Sequence, residues 1–269
     1  MARLTFRILG CGSSGGVPRL GPDWGDCDRN EPKNRRRRCS VLITRQTEAG
    51  ITRLLIDTGP DLREQLIDAR VTTLDGVVYT HSHADHTHGI DDLRQVVNVT
   101  RKRLDVWADG ATEEALLARF SYAFVQPDGS PYPPICHLHT IDGPVTISGD
   151  GGPITLTPFR VEHGAMDALG FRVGDVAYVP DVVEIPDDTW PLLANLDCFI
   201  IDALRRKPHP THAHLALALE WIARVEPRRA ILTNMHNDLD YQTLCEELSA
   251  HIRPAFDGME IEVDDAGAA

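Results

Sequence analysis

The sequence predicts an α+β protein in which β-sheets pack together and helices lie outside them. Two observations carry this. β-branched runs of strand length outnumber the helical stretches, and neighbouring runs such as "GFRVGDVAYV" read as hairpins. A chain of simple alternating βαβ units would contain neither feature. No internal repeat, low-complexity tract or long Ser/Gly/Pro linker interrupts the 269 residues. One domain over 1–263 is therefore expected, with "DDAGAA" at 264–269 as a frayed tail.

Taken in order, the expected strands are "LTFRILG", "CSVLITR", "TRLLIDTG", "GVVYTH", "LDVWAD", "ITLTPFRVE", "GFRVG", "VAYVPD", "CFIIDA", "AILTNM" and "MEIEV". Helices are expected at "PDLREQLIDA", where Pro60 suits a first turn, and at "IDDLRQVVN", "EEALLARFSY", "HAHLALALEWIARV" and "DYQTLCEELSAHI". Six strands end in a residue able to bind metal or orient a ligand: Asp57, His81, His163, Asp181, Asp202 and His236. A rigid sheet fixes the backbone at such ends while the following loop leaves room for a substrate.

The densest of these endings is "THSHADHTH", which places four of the twelve histidines between His81 and His88. Extended backbone points His81 and His83 the same way. Asp85 and His86 follow where the chain turns toward a helical pattern. One pair can therefore face one ion while the next faces a second ion beside it. Imidazoles with a carboxylate suit zinc, manganese or iron, and two adjacent ions can clamp the oxygens of a displacement reaction. A lone histidine is ordinarily a surface residue; H-x-H-x-D-H at a strand end is a ligand set. His88 falls outside the pattern, and the His137/His139 pair reads as loop or strand surface.

Composition narrows the remaining classes. The formal charge of −13 argues against bulk electrostatic binding of nucleic acid. Arg35 to Arg38 form one basic run, mostly a solvated loop, from which one or two arginines could meet an anionic partner. No apolar stretch reaches the ~20 residues of a membrane span, and the N-terminus has no signal-peptide pattern, so a cytoplasmic protein with no membrane partner is expected. The six cysteines are scattered without a C-x-x-C pair, which points to reduced thiols. "GCGSSG" matches a dinucleotide fingerprint, but the Gly/Pro-rich continuation "GVPRLGPDWGD" cannot open a helix. A tight loop is expected there and no nucleotide cofactor.

With these pieces in place the chain resembles the metallo-β-lactamase superfamily. The likeness runs in order through "ILGCGSSGG", "LLIDTG", "THSHADH", "VEHG", "YVPD" and "ILTNMH". It implies a four-layer αββα sandwich with two divalent ions, Zn2+ or Mn2+. His81, His83 and His163 would bind one; Asp85, His86 and His236 the other; Asp181 would bridge; Asp57 would orient a ligand histidine. Relatives often place the last ligand directly after the strand's threonine, where this chain has Asn234. His236 is the nearby histidine.

Three segments narrow the resemblance to PhnP-like phosphodiesterases: "GCGSSGGVPRLG…DC…RRRRCS", "PTHAHLALAL" and "FDGMEIEV". One departure is plain: a structural zinc held by several N-terminal cysteines would find only Cys27 here, with Pro22 and Trp24 in place of others. The branch implies hydrolysis of small cyclic phosphates or nucleotide phosphodiesters by a metal-bridging hydroxide. Asp85 and His212 are then the catalytic residues, with His212 bonding the phosphoryl group or protonating the leaving oxygen. His214, Arg38 and Ser40 are candidate substrate contacts. The alternatives within the fold are a tRNA 3′-processing endonuclease, a thioester or lactam hydrolase, and a non-catalytic metal-binding or carrier protein. The expected partner is a small phosphodiester or nucleotide, and a homodimer is compatible with the sequence.

Overall fold

The computed structural model describes residues 2–264. In chain order the first elements are β1 (Arg3–Gly10), β2 (Ser40–Gln46), β3 (Ile51–Ile56), α1 (Leu62–Asp68), β4 (Gly76–Val78), α2 (Ala84–Thr87) and α3 (Leu93–Thr100). They are followed by β5 (Leu104–Ala108), α4 (Gly110–Phe124), β6 (Cys136–Thr140), β7 (Val145–Ile147), β8 (Ile154–His163), β9 (Met166–Val173) and β10 (Val176–Val179). The chain closes with β11 (Cys198–Asp202), α5 (Leu215–Val225), β12 (Arg229–Thr233), α6 (Tyr241–Glu247), β13 (Ile252–Pro254) and β14 (Glu260–Asp264). Every expected strand and helix is present. Those not anticipated are short: α2, β6, β7 and β13.

Two compact units emerge, one from residues 2–9, 40–155 and 260–264 and one from 10–39 and 156–259. In the first, a seven-stranded sheet runs β14-β1-β2-β3-β4-β5-β6. β1 pairs antiparallel with β14, and β2 with β3, whereas β3 through β6 are parallel. Continuous buried apolar stretches fall at Leu54–Ile56 of β3 and Gly76–Val78 of β4, whereas burial alternates along β5. Leu62, Leu66, Leu93, Val96, Leu116 and Phe124 from α1, α3 and α4 join Val77, Leu104 and Val106 in one buried cluster. Asp109 fixes where α4 begins, its carboxylate accepting from the Thr112 amide at 2.9 Å. Such a cap contributes about 1 kcal/mol. Of the expected tail, residues 265–269 lie outside the described residues, and Asp264 belongs to β14.

In the second unit the strands run β13-β12-β11-β10-β9-β8, with β8, β9 and β10 antiparallel and β10 through β13 parallel. The sequence separates these halves cleanly. Hairpin-type turns join β8–β9–β10, and longer crossings, one of them α5, join the parallel strands. α5 buries Leu215, Ala218, Trp221 and Ile222, the spacing of one helical face. No helix opens at the glycine loop after β1. Instead the Gly12 amide donates to the Arg37 carbonyl at 2.7 Å, and the Met235 amide to the Cys11 carbonyl at 2.8 Å, stitching the loop into this unit.

The arginine run is less solvated than its composition suggests. Arg36 is 2% exposed. Its guanidinium donates to the carbonyls of Leu239 (2.6 Å) and His236 (3.1 Å) and to Asn34 Oδ1 (3.3 Å). A buried charge needs that many acceptors. Arg37 pairs with Asp257, whose side chain is 10% exposed and whose carboxylate also accepts from the Arg37 amide at 2.8 Å. Burial nevertheless pushes the Asp257 carboxyl up to about 6, against the pull of Arg37. A carboxyl raised in the folded state favours folding most below its unfolded value near 4 and loses that contribution as pH rises through about 6. The stability of wild type relative to Asp257→Asn should therefore fall by up to about 3 kcal/mol between pH 4 and 7, as read from denaturant titrations at each pH.

Candidate metal centre

In the first unit the site is built on the ends of parallel β3 and β4. Directly after β3, Asp57 takes the left-handed conformation (φ 64°), which aspartate tolerates better than most residues. Its buried carboxylate accepts from the Thr80 amide (2.8 Å), the Thr80 hydroxyl (2.7 Å) and His86 Nδ1 (2.7 Å). Burial raises the Asp57 carboxyl and His86 lowers it. The histidine segment is held against the same strand end: the Thr58 amide donates to the His86 carbonyl at 2.8 Å and the Gly89 amide to the Thr58 carbonyl at 2.7 Å. A Cβ on Gly89 would lie 2.0 Å from the Gly59 oxygen, so only glycine lets the loop approach this closely.

These bonds decide which imidazole nitrogens are free of protons. A carboxylate only accepts, so His86 carries its proton on Nδ1 and presents a lone pair at Nε2. The Thr80 hydroxyl spends its proton on Asp57 and accepts from His81 Nδ1 at 3.0 Å, which leaves a lone pair on His81 Nε2. His81 Nε2 faces His83 Nδ1 at 3.0 Å. That is close to the separation of two nitrogens each about 2.1 Å from one ion. Asp85 Oδ2 stands 3.5 Å from His86 Nε2. One buried carboxylate thus sets two tautomers.

The second unit repeats the device at the ends of β10, β11 and β12. The register aligns Val179 with Ile201 and Asp202 with Thr233, so Asp181, Asp202 and Asn234 cluster at neighbouring strand ends. Asp202 is fully buried, and its Oδ2 accepts from His212 Nδ1 at 2.9 Å and from the Val182 amide at 3.2 Å. Burial pushes the Asp202 carboxyl up to about 7, opposed by His212. Asn234, also left-handed (φ 58°), donates its amide to Asp202 Oδ1 at 3.2 Å and Asp181 Oδ1 at 3.4 Å. His163, ending β8, donates from Nδ1 to the Thr211 carbonyl at 2.7 Å, so its Nε2 also carries a lone pair. Ligand-type atoms of His163, Asp181 and His212 lie within 4.8 Å of one another. Gly164 (φ 73°) makes the close approach possible, since a Cβ there would meet the Thr211 methyl at 2.4 Å.

The sequence-predicted residues are distributed as follows. His81, His83, Asp85 and His86 gather around Asp57 in the first unit; His163, Asp181 and His212 gather in the second. His236 is not in that second group among the described residues. Its backbone is held by Arg36 and Leu204, and its Nδ1 faces Asp238 at 3.4 Å. Asn234 occupies the strand end instead. Ser40 is fully buried and donates to the carbonyls of Ile56 (2.9 Å) and Asp57 (3.1 Å), bracing the backbone inside the protein. Arg38 runs past Gly16, and His214 is the N-terminal flanking residue of α5. His88 is exposed and bonds the Ala84 carbonyl at 3.1 Å. Thr80, Asp202 and Asn234 carry parts of the geometry that the motif did not assign to them.

Lone pairs on oriented imidazoles beside carboxylate oxygens are the donor chemistry of a divalent ion, and the residues fit one. Asp57 should therefore govern metal affinity without touching metal. Asp57→Asn, which cannot hold both tautomers, is expected to weaken zinc or manganese binding about 10–100-fold, measured by titration calorimetry on the chelator-stripped protein.

Comparison with known proteins identifies the family. A family model described as a beta-lactamase superfamily domain matches residues 52–235. A Porphyromonas gingivalis protein named octanoyltransferase is 32% identical over 97% of this chain and 52% of its own length. Ribonuclease Z of Bradyrhizobium sp. (strain ORS 278) is 28% identical over 62% of this chain and 49% of its own length. The chain thus spans about half the length of these two relatives. Among solved structures, a diphosphatase from the PhnP family is 34% identical over 98% of both chains with a TM-score of 0.86. The α+β fold expected from the sequence is that of these proteins. From the matched domain and the full-length likeness to that structure, the chain belongs to the metallo-β-lactamase superfamily and, within it, to the PhnP-like branch.

Proposed function

We propose that the chain is a dinuclear, metal-dependent phosphodiesterase acting on small cyclic phosphates or nucleotide phosphodiesters. His81, His83 and His163 would hold one divalent ion, Asp85 and His86 the other, with Asp181 shared. His236 is assigned to the second ion on the sequence alone. When bound, two such ions supply Lewis acidity that acidifies water and neutralises phosphoryl oxygens.

The observation that carries the reading is the His212–Asp202 pair beside Asp181 and His163. With Nδ1 bonded to Asp202 at 2.9 Å, His212 is oriented to present Nε2 to a substrate. A proton donor matters most where the leaving group is an alkoxide, which is nearly as basic as hydroxide from water of pKa about 15.7. A thiolate, whose parent thiol sits near 8.5, leaves without that help. An oriented imidazole therefore favours a phosphodiester over a thioester. The PhnP-family diphosphatase supports phosphoryl chemistry, differing in that a diphosphatase acts on a diphosphate. The Porphyromonas relative named for octanoyl transfer favours a second reading, hydrolysis of an acyl bond. A nuclease reading draws on the ribonuclease Z relative, but the net charge of −13 gives it little electrostatic support.

The test is turnover by manganese- or zinc-loaded protein of bis(p-nitrophenyl) phosphate, 2′,3′-cyclic nucleotides, a lactam and an acyl thioester. Phosphodiester hydrolysis is expected, and His212→Ala should lower kcat on the 2′,3′-cyclic nucleotides about 10²–10⁴-fold, and far less on bis(p-nitrophenyl) phosphate with its weakly basic leaving group, with metal content retained. Turnover of the lactam or thioester alone would overturn the proposal.

A further inference from the structure

α4 is interrupted once, and the interruption lies against the histidine loop. Phe120 has φ −132° and ψ 34° inside an otherwise helical run. Neither proline nor glycine, the ordinary causes of a break, occurs between Ala111 and Phe124. The residues just before it, "EEALLAR", are strong helix formers. The break is therefore imposed by packing, and two contacts show what imposes it. Arg119 Nη1 donates to the Ser82 carbonyl, and the Phe120 ring meets the His88 ring edge-to-face at 5.2 Å and 85°. Successive residues of a regular helix project about 100° apart, so positions i and i+1 cannot face one target. Leaving helical geometry at Phe120 lets both side chains reach the same loop, one near each end.

That loop needs a hold ahead of His83. Asp57 reaches it at His86 directly and at His81 through Thr80. His81 and His86 are buried, whereas His83 is exposed. The His83 carbonyl accepts from the His86 amide (3.1 Å) and the Thr87 hydroxyl (2.9 Å), and the Ala84 carbonyl from the His88 amide (3.0 Å). These bonds fix the chain after His83. The Ser82 carbonyl lies in the peptide plane that carries the His83 amide, and a planar peptide moves as a unit. By bonding that oxygen, Arg119 fixes the chain before His83.

The geometry points to Arg119 as a positioning residue for metal binding: with Phe120 it clamps the histidine loop to α4 and keeps His83 Nδ1 facing His81 Nε2. This rests on the dinuclear reading and names the residue that sets the affinity of the ion given to His81 and His83. A guanidinium on a carbonyl makes a charge-assisted bond, roughly twice as strong as a neutral one. Its loss should be felt at His83 and not at His86, which Asp57 holds.

The test is titration of the chelator-stripped protein with cobalt(II), followed by calorimetry and visible absorption. Wild type should take up two ions. In Arg119→Ala one binding step should weaken about tenfold, with an altered cobalt spectrum for that step, while the other holds. Arg119→Lys, which keeps a charged donor, should retain part of the affinity. Arg119→Gln, with the charge removed, carries the test should the alanine variant not fold. A merely structural role would weaken both steps alike and leave the lysine variant no better than alanine. That result, unchanged binding, or tighter binding from removing a charge that only repelled the ion would overturn the inference. If wild type takes up fewer than two ions, the dinuclear reading falls. The clamp is then judged on metal-free protein by amide hydrogen exchange: faster exchange confined to residues 81–88 in Arg119→Ala supports it, and an unchanged pattern refutes it.

Discussion

A carboxylate buried at the end of a parallel strand has no water to solvate it, and the candidate site depends on how this chain meets that demand. Asp57 and Asp202 are both fully buried. Each is left with acceptor oxygens and must find donors, and each finds the same kinds: a backbone amide from the next segment and one imidazole Nδ1–H. The desolvation that raises both carboxyls is offset by those donors. Fixing the imidazole proton on Nδ1 is the consequence that matters for chemistry, because Nε2 is then aimed outward from a rigid sheet.

The same requirement explains the cationic half of the second unit. Arg36 cannot remain inside as a bare charge, so it collects carbonyls from His236 and Leu239 and thereby holds the segment after β12. That grip, with the amide bond from His236 to Leu204, leaves the His236 imidazole beside Asp238. Asp240 repeats the pattern at the start of α6. It accepts from the Thr243 and Asp28 amides and from Asn34, and those bonds hold its carboxyl at about 2. Arg205 likewise donates to carbonyls, those of Lys207 and Pro208.

Much of this was legible in the sequence. Strand and helix identity followed from periodicity, and the H-x-H-x-D-H ending announced its ligands because four donors at one strand end are rarely structural. The short elements β7 and β13, each with three residues, were not legible, since so few residues carry no period. Asp202 was visible as a strand ending but without a partner. Its pairing with His212 depends on the loop before α5 returning to β11, which spacing does not encode. Arg36 was hidden by its neighbours: four consecutive arginines read as one solvated run, although alternation along an extended segment turns Arg36 inward and leaves Arg35 exposed.

The choice between Asn234 and His236 shows why strand-end position outweighs residue type. Sequence reasoning favoured His236 because it is the histidine close to the strand end. Backbone geometry sets the order differently. Residue 234 directly follows β12, and its left-handed turn aims the side chain back at Asp181 and Asp202. Two residues later the chain has already crossed to the 204 segment. A carboxamide at the strand end can do what an imidazole ligand would not: donate to both carboxylates at once. That ties the Asp181 carboxylate to the Asp202–His212 pair, so the ligand-type oxygen and the His212 imidazole are positioned by one residue. On this reading Asn234 marks a site arranged around His212 as the proton-handling group.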